Sequence, residues 1–382
     1  MKSHPYVILG GGIAGLTTAI ALKQIGIEAV VIEAAAEIKP VGAGLALAAN
    51  AMMALLQIGI ADQVIPEGRE LKAFSIYDQK GQIITRTDTD PAHSRFGISN
   101  FTIHRADLHR VLLAQLEPKN VITGMRSVDF SEDSEGYLVR IENGEQIRAK
   151  YLIVAEGIHS SIGKQLLPDA KIRFSGYTCW RGVMDNSGLN IAETSETWGK
   201  NGRFGVTPLS KKQVYWYACI NAPTPNSSLK SYTKADLEAN FKDFHFPIPE
   251  VLAGTKPDQI IWNDILDLEP LSQFAFGNAV LIGDAAHATT PNMGQGACMA
   301  IEDAAVLACC LKRNSDPALA FLEFEKRRLP RTQKIVKDSW RLGKIAQLEN
   351  PLLMGLRNSF FRMIPKKVTE KQLEALYQVD LS

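Results

Sequence analysis

Hydrophobic runs and their spacing divide the chain before any chemistry is considered. Tyr6-Val7-Ile8-Leu9 is short and wholly apolar. A glycine cluster follows, then apolar residues at helical spacing from Ile13 to Ile25, with Gly26 as the stop. Ala29-Val30-Val31-Ile32 is a second apolar run ending on Glu33. Buried strand, helix, buried strand predicts a parallel sheet. Phe74 to Thr87 alternates with period two about Gln79-Lys80-Gly81 and predicts antiparallel strands. A helix is predicted over 105–116, and a meander over 121–130, 137–141 and 146–154 that ends in the buried run Tyr151-Leu152-Ile153-Val154. From 171 to 262 aromatic residues and alternation increase, as in Val214-Tyr215-Trp216-Tyr217-Ala218-Cys219-Ile220, which predicts a second, mostly antiparallel lobe. Ala279-Val280-Leu281-Ile282 returns to the first lobe, and helices are predicted over 295–312 and from 316 to the last residue. Strands of the parallel type occur at both ends of the chain, so the first lobe is discontinuous.

Composition narrows the classes. Of 382 residues, 46% are hydrophobic and 22% charged, ordinary for a globular protein and wrong for disorder or collagen. Forty-two Lys and Arg balance 41 Asp and Glu, so bulk charge points to neither nucleic acid nor an anionic surface. Cys179, Cys219, Cys298, Cys309 and Cys310 show no CxxC pair and no zinc spacing, which suits reduced thiols in a cytoplasmic protein with no metal site. Tyr6 to Leu22 with Ala19-Ile20-Ala21 imitates an export signal, but its four glycines favour a first strand and turn. Val41 to Ala61 is broken by Gly42, Gly44, Asn50 and Gln57 and does not read as a membrane span.

Gly10-Gly11-Gly12-Ile13-Ala14-Gly15 fits G-x-G-x-x-G between a strand and a helix. The glycines allow a tight turn, close approach of backbone to a pyrophosphate, and close packing of helix on strand. The helix start offers N–H groups and positive dipole to phosphate. Glu33, 23 positions after Gly10, closes the next strand where a carboxylate can hold ribose hydroxyls. This fingerprint alone does not separate NAD from FAD.

Gly283-Asp284 ends a buried strand, and Pro291-Asn292-Met293-Gly294-Gln295-Gly296 leads into a long helix. A strand-end carboxylate suits a polyol, and a helix start suits negative charge on a reduced flavin ring. With the fingerprint, Gly42-Ala43-Gly44 and Glu156-Gly157, these segments make four motifs in order. In this the chain resembles the FAD-dependent class A flavoprotein monooxygenases, the single-component aromatic hydroxylases. The resemblance implies an α/β fold: a glutathione-reductase-type FAD-binding lobe with a parallel sheet, a smaller, mostly antiparallel β substrate lobe, and C-terminal helices. It assigns 1–70, 100–170 and 270–325 to the FAD-binding domain, 71–99 and 171–269 to the substrate domain, and 326–382 to the helices. It implies cofactor contacts from Gly10, Gly12, Ile13, Ala14, Gly15, Glu33, Gly44, Arg105, Asp284, Pro291, Gly294, Gly296 and Ala297. FAD is expected to be tight and non-covalent, NAD(P)H a transient reductant and O2 a co-substrate. A C4a-hydroperoxyflavin would then hydroxylate a small aromatic or heteroaromatic substrate in a dry, apolar pocket.

Two subfamilies supply the finer likeness. Phe174-Ser175-Gly176-Tyr177-Thr178-Cys179-Trp180-Arg181-Gly182 and 291–296 resemble the zeaxanthin epoxidases. Arg203 and Tyr215 around Pro208 resemble the hydroxylases of urate and other N-heterocycles, which makes Arg203 the candidate anion holder and Tyr215 the candidate proton donor. Core packing of an aromatic stripe is the competing reading for Tyr215, a surface ion pair that for Arg203, and a structural role that for Arg181. Asn292 stands where the urate enzymes carry an acid, which disfavours urate. Glu156 and Lys164 replace the family's Asp and Arg, and a lysine lacks the arginine fork. His287 reads as a buried, hydrogen-bonded residue of the loop. Leu353, Leu356, Phe360 and Ile364 share a helical face with Arg357 and Arg362 interspersed, for which packing on the core is the ordinary expectation and membrane-surface contact the lesser one. Epoxidation of a polyene or lipid, a flavin dehydrogenase or oxidase, and a non-catalytic escort-type binding protein stand as alternatives. The sequence sets no oligomeric state.

Overall fold

The computed structural model describes residues 2–37, 43–89 and 94–382, so Gly42 lies outside the described residues. Five strands run parallel in the order Val121–Ile122, Ala29–Ile32, Lys2–Leu9, Gln146–Val154 and Ala279–Leu281. Their apolar runs are buried because helices cover them. Helix Ile13–Gln24 is buried from Ile13 to Leu22 and packs against helix Gly296–Arg313. The expected strand over 121–130 is in fact two. Val121–Ile122 joins the parallel edge, Gly124 turns the chain at φ +73°, and Ser127–Asp133 starts the antiparallel strands.

A second sheet has seven strands in the order Ile261–Leu268, Ile172–Asp185, Gln213–Asn221, Gly202–Pro208, Thr194–Gly199, Ala73–Asp78 and Ile83–Asp88. All neighbours are antiparallel except Thr194–Gly199 with Ala73–Asp78. Trp180, Phe204, Val214 and Trp216 on one face pack with Leu237, Phe241 and Val251 from helices Lys234–Phe241 and Ile248–Gly254. Tyr177, Cys179, Tyr217 and Cys219 occupy the other face. Gly44–Leu47, Asn100–His104 and Arg69–Leu71 form a small third sheet.

The helix expected to run on from 316 is three: Pro317–Ala346, Pro351–Met363 and Lys366–Tyr377. Asn350 Oδ1 accepts from the N–H groups of Leu352 and Leu353, which starts the second helix afresh. Helix Pro317–Ala346 runs unbroken through 325/326, where a boundary was expected. The tail also departs from ordinary packing. Leu353, Leu356 and Phe360 point outward, while Arg357 is buried 4.7 Å over the Trp198 ring. No helix among the described residues is long and apolar enough to cross a membrane.

A buried charge cluster, with Arg331 at its edge, ties these layers together. Asp303 accepts from the Gly283 N–H at 2.9 Å, from His287 Nε2 at 2.6 Å and from Arg328 Nε at 2.7 Å. Next to it, Glu302 pairs with Arg328 at 2.5 Å and with Arg331 at 2.6 Å. Two acids meet two guanidiniums, so the charges cancel and the remaining lone pairs are occupied, the condition for keeping ions in a core. Burial alone would raise the Asp303 carboxyl. His287, Arg328 and the Gly283 N–H together hold it below the ordinary carboxylate value. A depressed folded pKa gives stability that is complete above the unfolded value of ~3.9 and is lost as pH falls through the folded one. Asp303→Ala is therefore expected to lower unfolding free energy by about 3–5 kcal/mol in urea titrations at neutral pH. The difference from the native chain should narrow below about pH 4; a difference that stays constant down to pH 3 would contradict this assignment.

Candidate active site

The first strand delivers the chain into a turn that only glycine fits. Gly10 has φ +104°, and a Cβ there would lie 2.3 Å from the Ala155 carbonyl oxygen. A Cβ on Gly15 would lie 1.9 Å from the Gly10 oxygen, so helix and strand touch through bare backbone. Gly12 is the reverse case: a Cβ would meet nothing within 4 Å, and no side chain caps the helix it begins. The first bond of that helix is Leu16 N–H to Gly12 O, which leaves the N–H groups of Ile13, Ala14 and Gly15 open. Glu33 stands beside them, accepting from Gly11 N–H at 2.6 Å and Ala35 N–H at 2.7 Å.

Gly283, at φ +58°, brings the other end of the sheet to the same place, since a Cβ on it would lie 2.7 Å from Ala14 Cβ. The next residue, Asp284, is exposed to solvent yet surrounded by protein, which puts it on the floor of a cleft. Burial raises its carboxyl, with His287 and Arg105 opposing. Arg105 is exposed, and its N–H bonds to Ala43 O at 3.0 Å, which seats it beside Gly44. Helix Gly296–Arg313 also starts without a side-chain cap, its first bond running from Met299 N–H to Gln295 O, so Gly296 and Ala297 offer open N–H groups. Gly294, at φ +63°, faces Ala46, and Pro291 and Gly294 are exposed. Two open helix starts, a strand-end glutamate, and an aspartate and an arginine facing one cleft fit a dinucleotide whose pyrophosphate meets Gly12 and whose polyol meets Asp284.

The second sheet closes this cleft from the far side. Tyr215 is half-buried, and a Cβ on Gly44 would lie 2.6 Å from its ring, so the ring rests on glycine backbone. Its hydroxyl makes no hydrogen bond among the described residues, and burial pushes its pKa above the ordinary tyrosine value. Arg203 is 2% exposed. It pairs with Glu196 at 3.2 Å, donates to Asn292 Oδ1, and lies 5.2 Å from the Tyr177 ring. Its Nε–H is buried without a partner among the described residues. Asn292 is a junction: Oδ1 also accepts from Tyr177 at 3.0 Å, while Nδ2 donates to Thr290 Oγ1 and Ser339 O, both at 2.8 Å. A Cβ on Gly343 would lie 2.4 Å from that Nδ2, so helix Pro317–Ala346 needs a glycine where the amide enters. A cavity of about 500 Å3 is lined by Tyr177 and Gly343, with Asn221, Lys344 and Gln347. On the same face Cys179 and Cys219 are register partners. Burial would raise the Cys179 thiol, but Cys219, Arg181 and Arg203 bring it down to about 6.

The fingerprint residues, Glu33, Gly44, Arg105, Asp284 and the 291–297 loop thus come to one cleft, and Tyr215 and Arg203 to its far wall. Arg203 is paired, as the competing reading had it, but in the interior with Glu196 rather than on the surface. Glu156 is turned inward, accepting from Ser127 Oγ and Ser160 Oγ, and Lys164 donates to the carbonyls of Pro168 and Ala170. His287 is buried on Asp303, as its position in the loop suggested. Sequence reasoning missed Glu196, which also accepts from Trp198 Nε1 at 2.5 Å and from the Tyr217 hydroxyl. No spacing signals it, because Arg203 and Tyr217 reach it from two other strands of the sheet. The Glu302-Asp303 pair was also missed, although two adjacent acids inside the apolar run 298–311 are a legible sign of buried ion pairs.

Comparison with known proteins agrees with this geometry. A family model described as FAD binding domain matches residues 4–339. The chain is 37% identical over 359 residues to the aurachin C monooxygenase/isomerase of Stigmatella aurantiaca, covering 94% of each. It is 32% identical to the 2-heptyl-3-hydroxy-4(1H)-quinolone synthase of Pseudomonas aeruginosa, covering 97% of each. Among solved structures, Klebsiella pneumoniae HpxO complexed with FAD and uric acid superposes with a TM-score of 0.91 at 27% identity, over 99% of this chain and 96% of that one. An FAD-binding model over most of the length, a long match to a monooxygenase and a near-complete superposition on a flavin-bound structure place this chain in the FAD-binding-domain family, among the FAD-dependent class A flavoprotein monooxygenases.

Proposed function

We propose that this chain is an NAD(P)H-dependent FAD monooxygenase that hydroxylates a heteroaromatic ring of the 4-quinolone class bearing an aliphatic tail. The observation that carries this reading is Asn292. Its amide is fully engaged by Arg203, Tyr177, Thr290 and Ser339, so the position offers no base for urate chemistry. Two relatives matched over almost the whole chain are named for an aurachin and an alkylquinolone. FAD, when bound, supplies the oxygen-activating chemistry: one nicotinamide hydride and one O2 are consumed for each ring hydroxyl formed, and the second oxygen leaves as water.

The chain's own residues do the rest. The N–H groups of Ile13, Ala14 and Gly15 hold pyrophosphate, Glu33 holds the ribose, and Asp284 and Arg105 hold the polyol and phosphate from opposite sides. The open start of helix Gly296–Arg313 favours negative charge at the ring end of the cofactor. Arg203 offers its remaining Nε–H to the ring oxygen of the substrate, and Glu196 fixes its plane. Tyr215, held protonated by burial, donates to or relays a proton from the substrate oxygen. The rings of Tyr177, Tyr215 and Tyr217 on the far wall exclude water from the reacting carbon. The cavity that Tyr177 and Gly343 line leaves room for the substrate beside Asn292.

FAD-loaded protein is expected to oxidise NADH or NADPH faster when a 2-alkyl-4-quinolone is added, with hydroxylated product matching nicotinamide consumed. No stimulation by any alkylquinolone, or electrons recovered wholly as hydrogen peroxide, refutes the substrate reading. Tyr215→Phe should lower coupled hydroxylation by about 10²–10⁴-fold while flavin absorbance of the purified protein is unchanged. Asn292→Asp removes the donor facing Ser339 O and should cost about 1–3 kcal/mol of stability without conferring urate turnover; urate-stimulated NADH oxidation in that variant would contradict the role given to Asn292.

A further inference from the structure

Helix Pro351–Met363 is amphipathic the wrong way round for a soluble surface. At 100° per residue, Leu352, Leu353, Leu356, Phe360 and Met363 fall on one arc of about 100°. All five are between 47% and 79% exposed. The opposite arc is the one that packs. Arg357 is buried over Trp198 and donates to the carbonyls of Ile345 and Ala346 at 3.2 and 2.9 Å, and Phe361 meets Trp198 edge to face. Arg362 anchors the helix to the second sheet through Ile83 O and Asp78 at 3.1 and 2.9 Å. The helix is therefore held in place by its polar and aromatic face, and its leucine face is left to solvent. Monomeric soluble proteins rarely leave a continuous apolar ridge without a partner.

The charge beside the ridge indicates which partner. Lys366, Lys367 and Lys371 follow the helix, all exposed and in no ion pair among the described residues. Residues 351–377 carry five cations against Glu370 and Glu374, in a chain that is otherwise close to neutral. One of those acids, Glu374, is already paired with Arg95. Apolar residues on one arc with free lysines at its end match a surface that is hydrocarbon inside and anionic outside. The ridge is also next to the cavity. Gln347 and Glu349 line the cavity, and Asn350 caps the helix directly after them.

We propose that helix Pro351–Met363 and the lysines after it dock the protein on an anionic lipid bilayer surface and set the cavity mouth at the interface where an apolar-tailed substrate is dissolved. The docking stands on the helix and lysines alone; its link to catalysis rests on the quinolone reading above.

The test is co-sedimentation of the FAD-loaded protein with vesicles of phosphatidylcholine, with or without phosphatidylglycerol. The protein should pellet with the phosphatidylglycerol vesicles and be released by salt. The L356E/F360E and K366E/K367E variants should each lower the partition coefficient about tenfold or more, with flavin content and melting temperature as fold controls. Wild-type protein that stays in the supernatant, or an L356E/F360E variant that pellets like wild type, overturns the proposal. So does a dimer in sedimentation velocity that L356E/F360E splits, if vesicles do not compete with it; the ridge then joins two copies. Vesicle binding requires no turnover, so binding without quinolone hydroxylation sinks the substrate reading alone. Turnover of a dissolved short-tailed quinolone without vesicle binding sinks the docking alone.

Discussion

The site depends on one carboxylate that never meets solvent. Asp303 takes the N–H of Gly283 where a parallel strand ends, the imidazole of His287 one turn later and the guanidinium of Arg328 from the long C-terminal helix. The partners come from a strand end with the single helical turn that follows it and from a helix distant in sequence, so a single charge fixes the three together. Without it, Gly283 would leave a buried N–H unpaired, and Asp284 would lose the backbone that aims it into the cleft. An ion this deep is tolerated because Arg328 and Arg331 neutralise it together with Glu302.

A second polar junction joins the nucleotide-type sheet to the seven-stranded one. Asn292 lies in the loop that follows Asp284, yet its amide reaches Arg203 and Tyr177 on one side and Ser339 on the other. The loop that borders the cofactor cleft is thus also a wall of the substrate region. An amide suits this place because it offers donors and acceptors at once. A carboxylate would face the Ser339 carbonyl oxygen with nothing to give it.

The parts that were legible in the sequence are those written in local spacing. The strand–glycine–helix–strand unit from Tyr6 to Glu33 is one continuous segment, and its glycines answer to contacts within it or with the adjoining strand. The alternation from Val214 to Ile220 is realised as two faces, Val214, Trp216 and Ala218 packing under the helices and Tyr217 with Cys219 lying on the other side. What stayed hidden depends on partners distant in sequence. Ala73–Asp78 pairs in parallel with Thr194–Gly199, and nothing in either strand names the other. The buried pairing of Arg203 stayed hidden because Glu196, two strand positions into the neighbouring strand, carries no motif. The breaks at Asn350-Pro351 and Pro365 were a different kind of miss: their signals are local, and the apolar spacing around them obscured the stops.

The helix that carries the outward leucines has a further consequence through its other side. It lies along Ile83–Asp88, the outermost strand of the seven, and through Arg362, which donates to Ile83 O, it covers an edge whose backbone groups would otherwise invite another strand. That edge is among the earliest parts of the sheet to leave the ribosome, and its cover is made only after every other strand has been synthesised. A nascent chain therefore carries an open strand edge through most of its translation, and its demand for chaperone protection should end only when residues 351–363 emerge and close it.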